Sequence, residues 1–581
     1  MTHALELYNK WLAYDKLDAE LKAQLEEIKD NEEEINERFY CELSFGTAGL
    51  RGIIGAGTNR MNIYVVKRAT QGLADVISKE GQEAKNRGVA IAYDSRLYSD
   101  RFAKEAALVL AANGIKAYLF DELRPTPELS FTIRHLNCIS GIIVTASHNP
   151  AKYNGYKVYW EDGAQLPPEF ADEVLKNINE TDIFDGVKSM PEKEALEKGL
   201  LTIIGKEVDE AYLNSVFAQS INKDLVEKIA DDFKIVYTPF HGAGNKPVRK
   251  ILEMIGVKNV YVVKEQELPD PMFSTVKSPN PENPEGFSYA IELANKVGSS
   301  LIIATDPDSD RMGTMVRNSE GQFIPISGNH MGVLLINYVL SQRQQKGLLP
   351  QNPVVIKTVV TTELAAKVCE KYGIEITNVL TGFKFIGEII KGLEENGREH
   401  DFVFGYEESY GYLCGSYARD KDAVVASMLV AEMAAYYAQR NMTLYDGLVE
   451  LYQEFGYFNE LQHSVVLEGM EGIKKIASMM QQLKENPIKE VNGEKVIRID
   501  DYSKGVTTDL LTGETKEINL PKSDVLAFYL PDNKKFIVRP SGTEPKIKYY
   551  FFVKGNDEAD AKQIMDKLSK AVLDITGDLL K

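Results

Sequence analysis

Residues 141–157 read GIIVTASHNPAKYNGYK and join a short apolar run to a cluster of polar side chains. The run Gly141–Thr145 predicts a buried strand, and the residues that follow it favour a turn. Ligands bind at the carboxyl ends of strands in open α/β sheets, so Ser147 is a candidate nucleophile or phosphate carrier. Lys157 stands ten residues further on, and Asn154-Gly155 predicts a turn that returns it towards Ser147. These residues are equally compatible with a serine that only caps a helix.

Strands and helices alternate on both sides of this stretch. Before it, Val89–Tyr93 predicts a strand, Phe102–Asn113 a helix and Ile115–Phe120 a second strand. The alternation returns twice further along the chain, and each time it indicates a layered α/β domain. The last part of the chain combines several strands with two helices, which indicates an α+β domain with an antiparallel sheet. We therefore predict four domains, at residues 1–204, 205–322, 323–456 and 457–581.

The composition of the 581 residues is that of a globular protein, with 44% hydrophobic and 26% charged residues. The 67 basic and 86 acidic side chains give a net charge of −19, which makes nucleic acid and anionic membranes poor partners. Four widely separated cysteines indicate neither a disulfide framework nor a zinc site. We recognise no secretory leader and no apolar run long enough to span a bilayer, so we expect a cytoplasmic protein.

A second polar cluster, DPDSDR at residues 306–311, follows the predicted strand Leu301–Ala304. Its three aspartates alternate along a loop, and their carboxylates repel one another unless a cation lies among them. Oxygen ligands favour Mg²⁺. An EF-hand fits poorly, because Arg311 and Arg317 stand where that loop needs Gly and Glu. A polar surface turn and an aspartyl nucleophile, as in D-x-D phosphatases, are the alternatives.

Two further loops have residues suited to a sugar phosphate. GYEES at residues 405–409 offers acceptors for sugar hydroxyls, and TGFK at residues 381–384 precedes it in the same predicted domain. RPSGTEP at residues 539–545 combines hydroxyls, glycine and a flanking arginine, which is typical of an anion-binding nest. Helix capping and a hairpin turn are the respective alternatives.

Three other segments carry weaker signals. FGTAGLRG at residues 45–52 offers Arg51 beside glycines that allow close backbone approach. RPTP at residues 124–127 predicts a rigid turn, and His241 has no second histidine nearby, which favours a structural role.

Together these stretches resemble the α-D-phosphohexomutase family, which includes the phosphoglucomutases and phosphomannomutases. The resemblance rests on TASHNP-x-x-YNG-x-K at 145–157 and DPDSDR at 306–311, in this order, and on GYEES at 405–409 and RPSGTEP at 539–545. It implies three related α/β domains with mixed sheets and a C-terminal α+β domain, arranged around a central cleft. It also implies an isomerase that interconverts glucose 1-phosphate and glucose 6-phosphate through a phosphoserine and a bound glucose 1,6-bisphosphate, with Mg²⁺ as cofactor.

The resemblance further implies the role of each residue, with Ser147 as the phosphoserine and Lys157 as a general acid/base. The residues implied in catalysis are Ser147, Lys157, His148 and Arg51. The implied Mg²⁺ ligands are Asp306, Asp308, Asp310 and the phosphate on Ser147. The residues implied to bind substrate are Arg311, Thr381, Gly382, Lys384, Glu407, Ser409, Arg539, Ser541, Gly542 and Thr543.

Two departures bear on the substrate. Ala48 replaces the serine common in F-G-T-S-G, and Tyr410-Gly411-Tyr412 replaces the Gly-His of the shorter phosphomannomutase/phosphoglucomutase type. Both changes resemble the branch that includes phosphoglucomutase-2 and phosphopentomutase-like enzymes, so mannose or pentose phosphates are alternative substrates. A metal-dependent sugar phosphatase with Asp306 as nucleophile and a non-catalytic sugar-phosphate sensor are the remaining alternatives.

Overall fold

The computed structural model describes residues 2–46, 49–467, 469–541 and 546–580. The chain divides into two compact units. The first unit contains Met1–Ser327, Ile386–Phe404 and Ser409–Thr443, and the second contains Gly328–Phe385, Gly405–Glu408 and Leu444–Lys581. Within the described ranges, no helix combines the length and the apolar character that crossing a bilayer requires. The boundaries of the four predicted domains stay predictions.

The first part of the chain forms a six-stranded mixed sheet flanked by helices. The helices are α1 His3–Leu12, α2 Ala19–Glu27, α3 Glu32–Phe39, α4 Ile63–Lys79, α5 Gln82–Arg87, α6 Ser99–Ala112, α7 Thr126–His135, α8 Pro168–Glu180 and α9 Glu192–Glu197. The strands are β1 Gly49–Ile53, β2 Val89–Tyr93, β3 Ala117–Phe120, β4 Ser140–Val144, β5 Tyr153–Trp160 and β6 Leu201–Ile204. The sheet order is β1-β5-β4-β2-β3-β6, in which β2, β3, β4 and β6 run parallel while β1 and β5 run antiparallel to their neighbours.

The strand before Ser147 is buried along its whole length, as its apolar sequence predicts. The predicted turn at Asn154-Gly155 is wrong, because both residues lie inside β5 and the chain reverses before them. Gly155 is needed there for close approach, since a Cβ would lie 2.4 Å from the Thr145 carbonyl oxygen. Lys157 still returns towards Ser147, because the antiparallel register of β4 and β5 pairs Ile143 with Lys157.

A second mixed sheet follows in the same unit. Its helices are α10 Lys206–Phe217, α11 Lys223–Ile229, α12 Asn245–Met254, α13 Lys264–Glu267 and α14 Ser288–Val297, with a 3₁₀ helix at Pro284–Phe287. Its strands are β7 Lys234–Thr238, β8 Asn259–Val262, β9 Leu301–Thr305, β10 Met312–Arg317 and β11 Phe323–Ile326. The order is β11-β10-β9-β7-β8, with β7 parallel to β8 and β9, and β10 antiparallel to both its neighbours. The predicted aspartate loop leaves the carboxyl end of β9, which is fully buried.

The third stretch again alternates strands and helices. Its helices are α15 Gly328–Gln345, α16 Leu364–Lys371, α17 Phe383–Glu395, α18 Ala423–Ala438 and α19 Leu444–Phe455, with a 3₁₀ helix at Glu399–Asp401. Its strands are β12 Val354–Thr358, β13 Thr377–Val379, β14 Phe402–Glu407 and β15 Gly411–Leu413. Strands β12 and β13 pair in parallel.

The last part is the predicted α+β domain with an antiparallel sheet. Its strands are β16 Tyr457–Val466, β17 Glu490–Val491, β18 Glu494–Lys495, β19 Arg498–Asp501, β20 Val506–Asp509, β21 Thr515–Glu517, β22 Leu526–Tyr529, β23 Lys535–Pro540 and β24 Lys546–Gly555. Its helices are α20 Gly469–Glu485 and α21 Glu558–Leu579. Seven strands pair in the order β16-β24-β23-β22-β19-β20-β21, and all the described pairings are antiparallel. Apolar side chains of both helices pack on this sheet, among them Met479 and Met565.

Candidate active site

Ser147 lies in the loop after β4, and only 4% of its surface is exposed. Its hydroxyl donates to Asp306 Oδ2 at 2.8 Å and lies 3.1 Å from His148 Nδ1. The backbone φ of Ser147 is +51°, in the left-handed region that costs a non-glycine residue about 1–3 kcal/mol. Such strain persists where the surroundings impose it, and it is frequent at functional sites.

Arg96 imposes the shape of this loop from the carboxyl end of the neighbouring strand β2. Its guanidinium is buried and donates to the carbonyl oxygens of Ser147 and Asn149, both at 2.5 Å. Asp94 pairs with Arg96 at 3.3 Å and accepts the Thr145 hydroxyl at 2.6 Å. Neither Asp94 nor Arg96 is among the site residues predicted from the sequence. Both residues directly follow β2, a strand parallel to β4, and polar residues at such strand ends are candidates for the same site.

The three predicted metal ligands, Asp306, Asp308 and Asp310, are buried and lie together on the loop after β9. Each offers a carboxylate oxygen within 4.8 Å of the others. The backbone N–H groups of Asp310 and Arg311 donate to Asp306 Oδ1. These hydrogen bonds hold the two ends of the loop together, so the three carboxylates lie close to one another.

The negative charges of the three aspartates repel one another when no metal cation lies among them. Burial, followed by the repulsion of Asp308 and Asp310, raises the pKa of Asp306 well above its usual value. Burial also opposes ionisation of Asp308, but the combined effect of the Lys157 charge, the hydrogen bonds with Asp306 and Lys157, and the Lys421 charge lowers the pKa of Asp308. A carboxylate forced towards its neutral form beside two other carboxylates is what a missing positive charge would produce.

Two oxygens of the cluster are suited to a metal ion. Asp308 Oδ1 and Asp310 Oδ1 are buried and have no hydrogen-bond partner among the described residues. A buried, unpaired carboxylate oxygen is costly unless it is paired with a cation or a donor. These donors are all oxygens, which is the donor type that hard cations prefer. The residues present therefore fit a metal ion.

Four predicted residues surround the aspartates and Ser147 in the first unit. Lys157 Nζ lies 3.0 Å from Asp308 Oδ2, Arg51 reaches Asn149 Oδ1 at 3.4 Å, and Arg311 pairs with Glu282. Burial, then the charges of Arg311 and Arg51, lowers the pKa of His148 well below its usual value. His148 is consequently a neutral imidazole at neutral pH and can accept a proton.

Two residues that sequence reasoning missed also hold the aspartate loop. Lys421 Nζ lies 2.8 Å from Asp310 Oδ2, and the Thr126 hydroxyl donates to Asp308 Oδ2 at 3.0 Å. Thr126 belongs to the RPTP segment that was predicted to be a rigid turn, and it begins α7. His241 has the structural role expected of it, with its ring nitrogens at 2.9 Å from Leu268 O and 2.8 Å from Thr275 Oγ1.

The second unit contains most of the predicted sugar-binding residues. Glu407 ends β14, and its Oε1 accepts the backbone N–H of Gly382 at 2.9 Å. Gly382 has a φ of +116°, a conformation that L side chains rarely adopt. Thr381 lies at the same turn, and Lys384 lies over the Phe385 ring. The structure thus brings the two predicted loops of this unit together, whereas Ser409 belongs to the first unit.

The predicted phosphate-binding loop begins at the end of β23. Arg539 is half-buried and its guanidinium lies 3.5 Å from the Tyr550 hydroxyl oxygen. The Ser541 N–H donates to the Lys546 carbonyl at 2.8 Å. Gly542 and Thr543 lie outside the described residues.

Family models match most of this chain. The model described as "Phosphoglucomutase/phosphomannomutase, alpha/beta/alpha domain I" matches residues 42–183, domain II matches 210–321 and domain III matches 327–455. A phosphoglucomutase of Staphylococcus saprophyticus is 37% identical over 521 residues, which cover 90% of this chain and 92% of that protein. The chain belongs to the phosphoglucomutase/phosphomannomutase family.

Other members of the phosphoglucomutase/phosphomannomutase family agree in sequence and in fold. A phosphoglucomutase of Staphylococcus epidermidis is 38% identical over 93% of this chain and 96% of its own. The open form of parafusin, a phosphoglucomutase from Paramecium, superposes with a TM-score of 0.67 at 19% identity, over 93% of this chain and 96% of its own. A family protein from Burkholderia thailandensis gives a TM-score of 0.62 at 19% identity, over 92% of this chain and 97% of its own.

These comparisons confirm the predicted α-D-phosphohexomutase family and the predicted fold class of three α/β domains with a C-terminal β-rich domain. They also confirm that the chain is an isomerase of the phosphoglucomutase/phosphomannomutase family.

Proposed function

We propose that this enzyme interconverts glucose 1-phosphate and glucose 6-phosphate by way of phospho-Ser147 and a bound glucose 1,6-bisphosphate. The observation that carries the proposal is the 2.8 Å hydrogen bond between Ser147 Oγ and Asp306 Oδ2, which joins a strand-end serine to a buried carboxylate cluster. The staphylococcal relatives that are 36–38% identical to this chain are named phosphoglucomutases, which favours glucose as the sugar.

Asp306, Asp308 and Asp310 would hold Mg²⁺ together with the phosphate on Ser147. Mg²⁺ bound there supplies Lewis-acid polarisation of a phosphoryl oxygen and offsets the charge of the phosphoryl group. Oxygen donors and a nearby phosphate are the setting in which proteins use Mg²⁺.

The residues around Ser147 provide positioning and proton transfer, which are what phosphoryl transfer mainly asks of a protein. In the first half-reaction the bond between phosphorus and Ser147 Oγ breaks and a bond to a substrate hydroxyl oxygen forms, while Lys157, in its neutral form, takes the hydroxyl proton and passes it to Ser147 Oγ. In the second, the other phosphate of the bisphosphate moves to Ser147 Oγ, and Lys157 passes the serine proton to the sugar oxygen that this phosphate leaves. The neutral imidazole of His148, 3.1 Å from Ser147 Oγ, is placed to accept the serine proton when a free serine is phosphorylated. Arg51 and Arg311 provide positive charge beside the transferring group.

The remaining predicted residues would recognise the rest of the substrate. We propose that Glu407 and Ser409 accept hydrogen bonds from sugar hydroxyls beside Thr381, Gly382 and Lys384. Arg539, Ser541, Gly542 and Thr543 would bind the phosphate that is not reacting. A cluster of hydrogen-bond donors binds the phosphate group and does not contact the carbon atom to which the phosphate is attached. The same loop can therefore bind either phosphate of the bisphosphate.

A coupled assay tests the proposal and separates its alternatives. We expect glucose 1-phosphate, with Mg²⁺ and a trace of glucose 1,6-bisphosphate, to be converted to glucose 6-phosphate faster than mannose 1-phosphate or ribose 1-phosphate is converted to its isomer. Faster conversion of either of those substrates would move the assignment to phosphomannomutase or phosphopentomutase. Release of inorganic phosphate without isomer would indicate a phosphatase, and binding without any conversion would indicate a sensor.

A further inference from the structure

Tyr159 is a fully buried tyrosine of strand β5 to which the proposed reaction gives no role. It stands two residues after Lys157, and side chains two residues apart on a strand lie on the same face of the sheet. The intervening face of the strand carries Tyr156 and Val158, which pack in the apolar core of the first sheet. Tyr159 therefore lies on the face from which Lys157 reaches the aspartate loop.

The Tyr159 hydroxyl donates to Asp420 Oδ2 at 2.7 Å, although the two residues are 261 positions apart in the sequence. Both residues are buried. Burial, followed by the charge of Asp420, raises the pKa of Tyr159 well above its usual value, so the phenol keeps its proton and remains a donor. A hydrogen bond to a buried carboxylate is stronger than one between neutral groups. Tyr159 thus fixes the orientation of Asp420.

Asp420 in turn contacts Lys421 through its other carboxylate oxygen. Asp420 Oδ1 accepts the backbone N–H of Lys421 at 2.9 Å and lies 3.4 Å from Lys421 Nζ. Lys421 Nζ lies 2.8 Å from Asp310 Oδ2, whereas Lys157 Nζ lies 4.0 Å from that oxygen. The side chains from Tyr159 to Asp310 therefore form a continuous series of contacts that leads from β5 to the aspartate loop.

The backbone around Lys421 also favours this position of its side chain. Gly411, the first residue of β15, leaves room for the aliphatic stem, since a Cβ there would lie 2.3 Å from Lys421 Cδ. The Ala423 N–H donates to the Ser309 carbonyl at 3.2 Å, which joins the following residues to the aspartate loop. A lysine side chain has several rotatable bonds, so one fixed position requires contacts along its length.

We propose that Tyr159 is a positioning residue of this isomerase, which acts through Asp420 to hold the Lys421 ammonium group beside Asp310. The positioning itself does not depend on the proposed function, whereas its effect on turnover rests on it. The ammonium group there offsets part of the negative charge that the aspartates and the transferring phosphoryl group bring together. Loss of the Tyr159 hydroxyl removes a donor from Asp420, so the Lys421 side chain is held by fewer contacts and the reaction slows.

Acetylation of lysines by acetic anhydride tests the position of Lys421 in the full-length protein, without metal or substrate. Mass spectrometry measures the extent of labelling at Lys421. We expect this labelling to rise at least about 3-fold in Tyr159→Phe, because an amine released from a buried ion pair becomes accessible. Tyr156→Phe is the matched control, since Tyr156 is equally buried on the same strand and its hydroxyl oxygen lies 3.0 Å from the Thr70 hydroxyl. Equal labelling of Lys421 in the two variants would overturn the positioning.

Steady-state kinetics with glucose 1-phosphate, Mg²⁺ and a trace of glucose 1,6-bisphosphate test the effect on turnover. We expect kcat to fall about 10-fold in Tyr159→Phe and KM to change less than about 2-fold, because Lys421 lies beside the aspartates. Tyr156→Phe should keep its kcat, although each variant removes one buried hydroxyl and should lower the unfolding temperature by a similar amount. An unchanged kcat in Tyr159→Phe, or an equal fall in both variants, would contradict the role in turnover. Absence of conversion by the unmodified enzyme would contradict the proposed function alone, because the labelling does not depend on activity.

Asp420→Asn tests whether Tyr159 acts through Asp420. The amide keeps the size of the side chain and removes its charge, so we expect increased labelling of Lys421 and a lower kcat, as in Tyr159→Phe. Residues that act in one series of contacts have effects that do not add. The kcat of the double variant should therefore lie within about 2-fold of that of Asp420→Asn. Full additivity of the two effects would show that Tyr159 does not act through Asp420.

Discussion

The Thr126 hydroxyl donates to Asp308 Oδ2 at 3.0 Å, and the Thr126 N–H donates to the Asp308 carbonyl at 2.9 Å. Lys157 Nζ lies 3.0 Å from the same Oδ2. Two donors thus fix one oxygen of Asp308, while its Oδ1 has no hydrogen-bond partner in the part of the chain that the structure describes. Thr126, the RPTP residue with which helix α7 begins, thus orients a proposed metal ligand that is 182 residues away in sequence.

Thr126→Val tests this orientation. The variant keeps the shape of the side chain and removes the hydroxyl donor, so Asp308 Oδ2 loses one of its two donors and the Mg²⁺ dissociation constant should rise about 10-fold. Calorimetric titration with Mg²⁺ measures it. Thr132→Val on the same helix is the control, because the Thr132 hydroxyl donates within the helix, to the Glu128 carbonyl. Equal Mg²⁺ affinity of the two variants would show that Thr126 does not act through Asp308.

Asp308→Asn tests the metal site itself. The amide preserves the size of the side chain but removes one of the three charges and the ion pair with Lys157. We expect the Mg²⁺ concentration for half-maximal activity to rise at least about 10-fold, or activity to be lost. Asp231→Asn, an exposed site in the same unit, serves as the control. A metal dependence identical to that of the unmodified enzyme would count against the ligand assignment.

Arg539→Ala tests the proposed phosphate loop. Loss of a charged donor to phosphate should raise KM for glucose 1-phosphate about 10- to 100-fold. The preference for glucose 1-phosphate over mannose 1-phosphate should stay unchanged, because a phosphate contact does not report on the sugar. Lys522→Ala removes an exposed charge from the same unit and should change neither quantity. A shift in sugar preference with an unchanged KM would contradict the role given to this loop.

The environment of Glu408 leads us to expect that the unfolding temperature depends on pH in a particular way. Burial, then repulsion by Glu407, raises the pKa of Glu408 to about 7, from the usual 4.5, and its Oε2 accepts the Thr358 hydroxyl at 3.2 Å. The folded state therefore favours the protonated form of Glu408. The stabilisation that this proton provides is complete below about pH 4.5, the usual pKa, and is lost as pH rises from about 4.5 to about 7. Glu408→Gln should raise the unfolding temperature at pH 8 and change it little at pH 4.5. The exposed Glu485→Gln should change it at neither pH, and an equal effect of Glu408→Gln at both pH values would refute the raised pKa.

The local pattern of the sequence was enough to locate the main elements of the site. Fully apolar strands such as β4 and β9 are recognisable without tertiary information, and the polar residues directly after them are placed by the sheet itself. The adjacency of Ser147 and Asp306 followed from this reasoning and from the family resemblance, and the structure places them in hydrogen-bond contact.

The supporting contacts could not be predicted in the same way. Thr126, Lys421 and Arg96 act on loops to which they have no local relation, so only the packed structure reveals them. Asn154-Gly155 failed as a turn signal because the glycine serves a different need, the close approach of β5 to the Thr145 carbonyl. A dipeptide preference is a weak influence, and the packing of neighbouring strands overrides it.

Phosphate mapping on Ser147 tests the central claim most directly. The full-length protein is incubated with Mg²⁺ and glucose 1,6-bisphosphate, and the site of phosphate incorporation is then located by tandem mass spectrometry. Ser341→Ala, a half-buried serine elsewhere, should behave like the unmodified enzyme. We predict phosphate on Ser147, and neither phosphate nor mutase turnover in Ser147→Ala; full turnover by Ser147→Ala, or phosphate on another residue, would contradict the account.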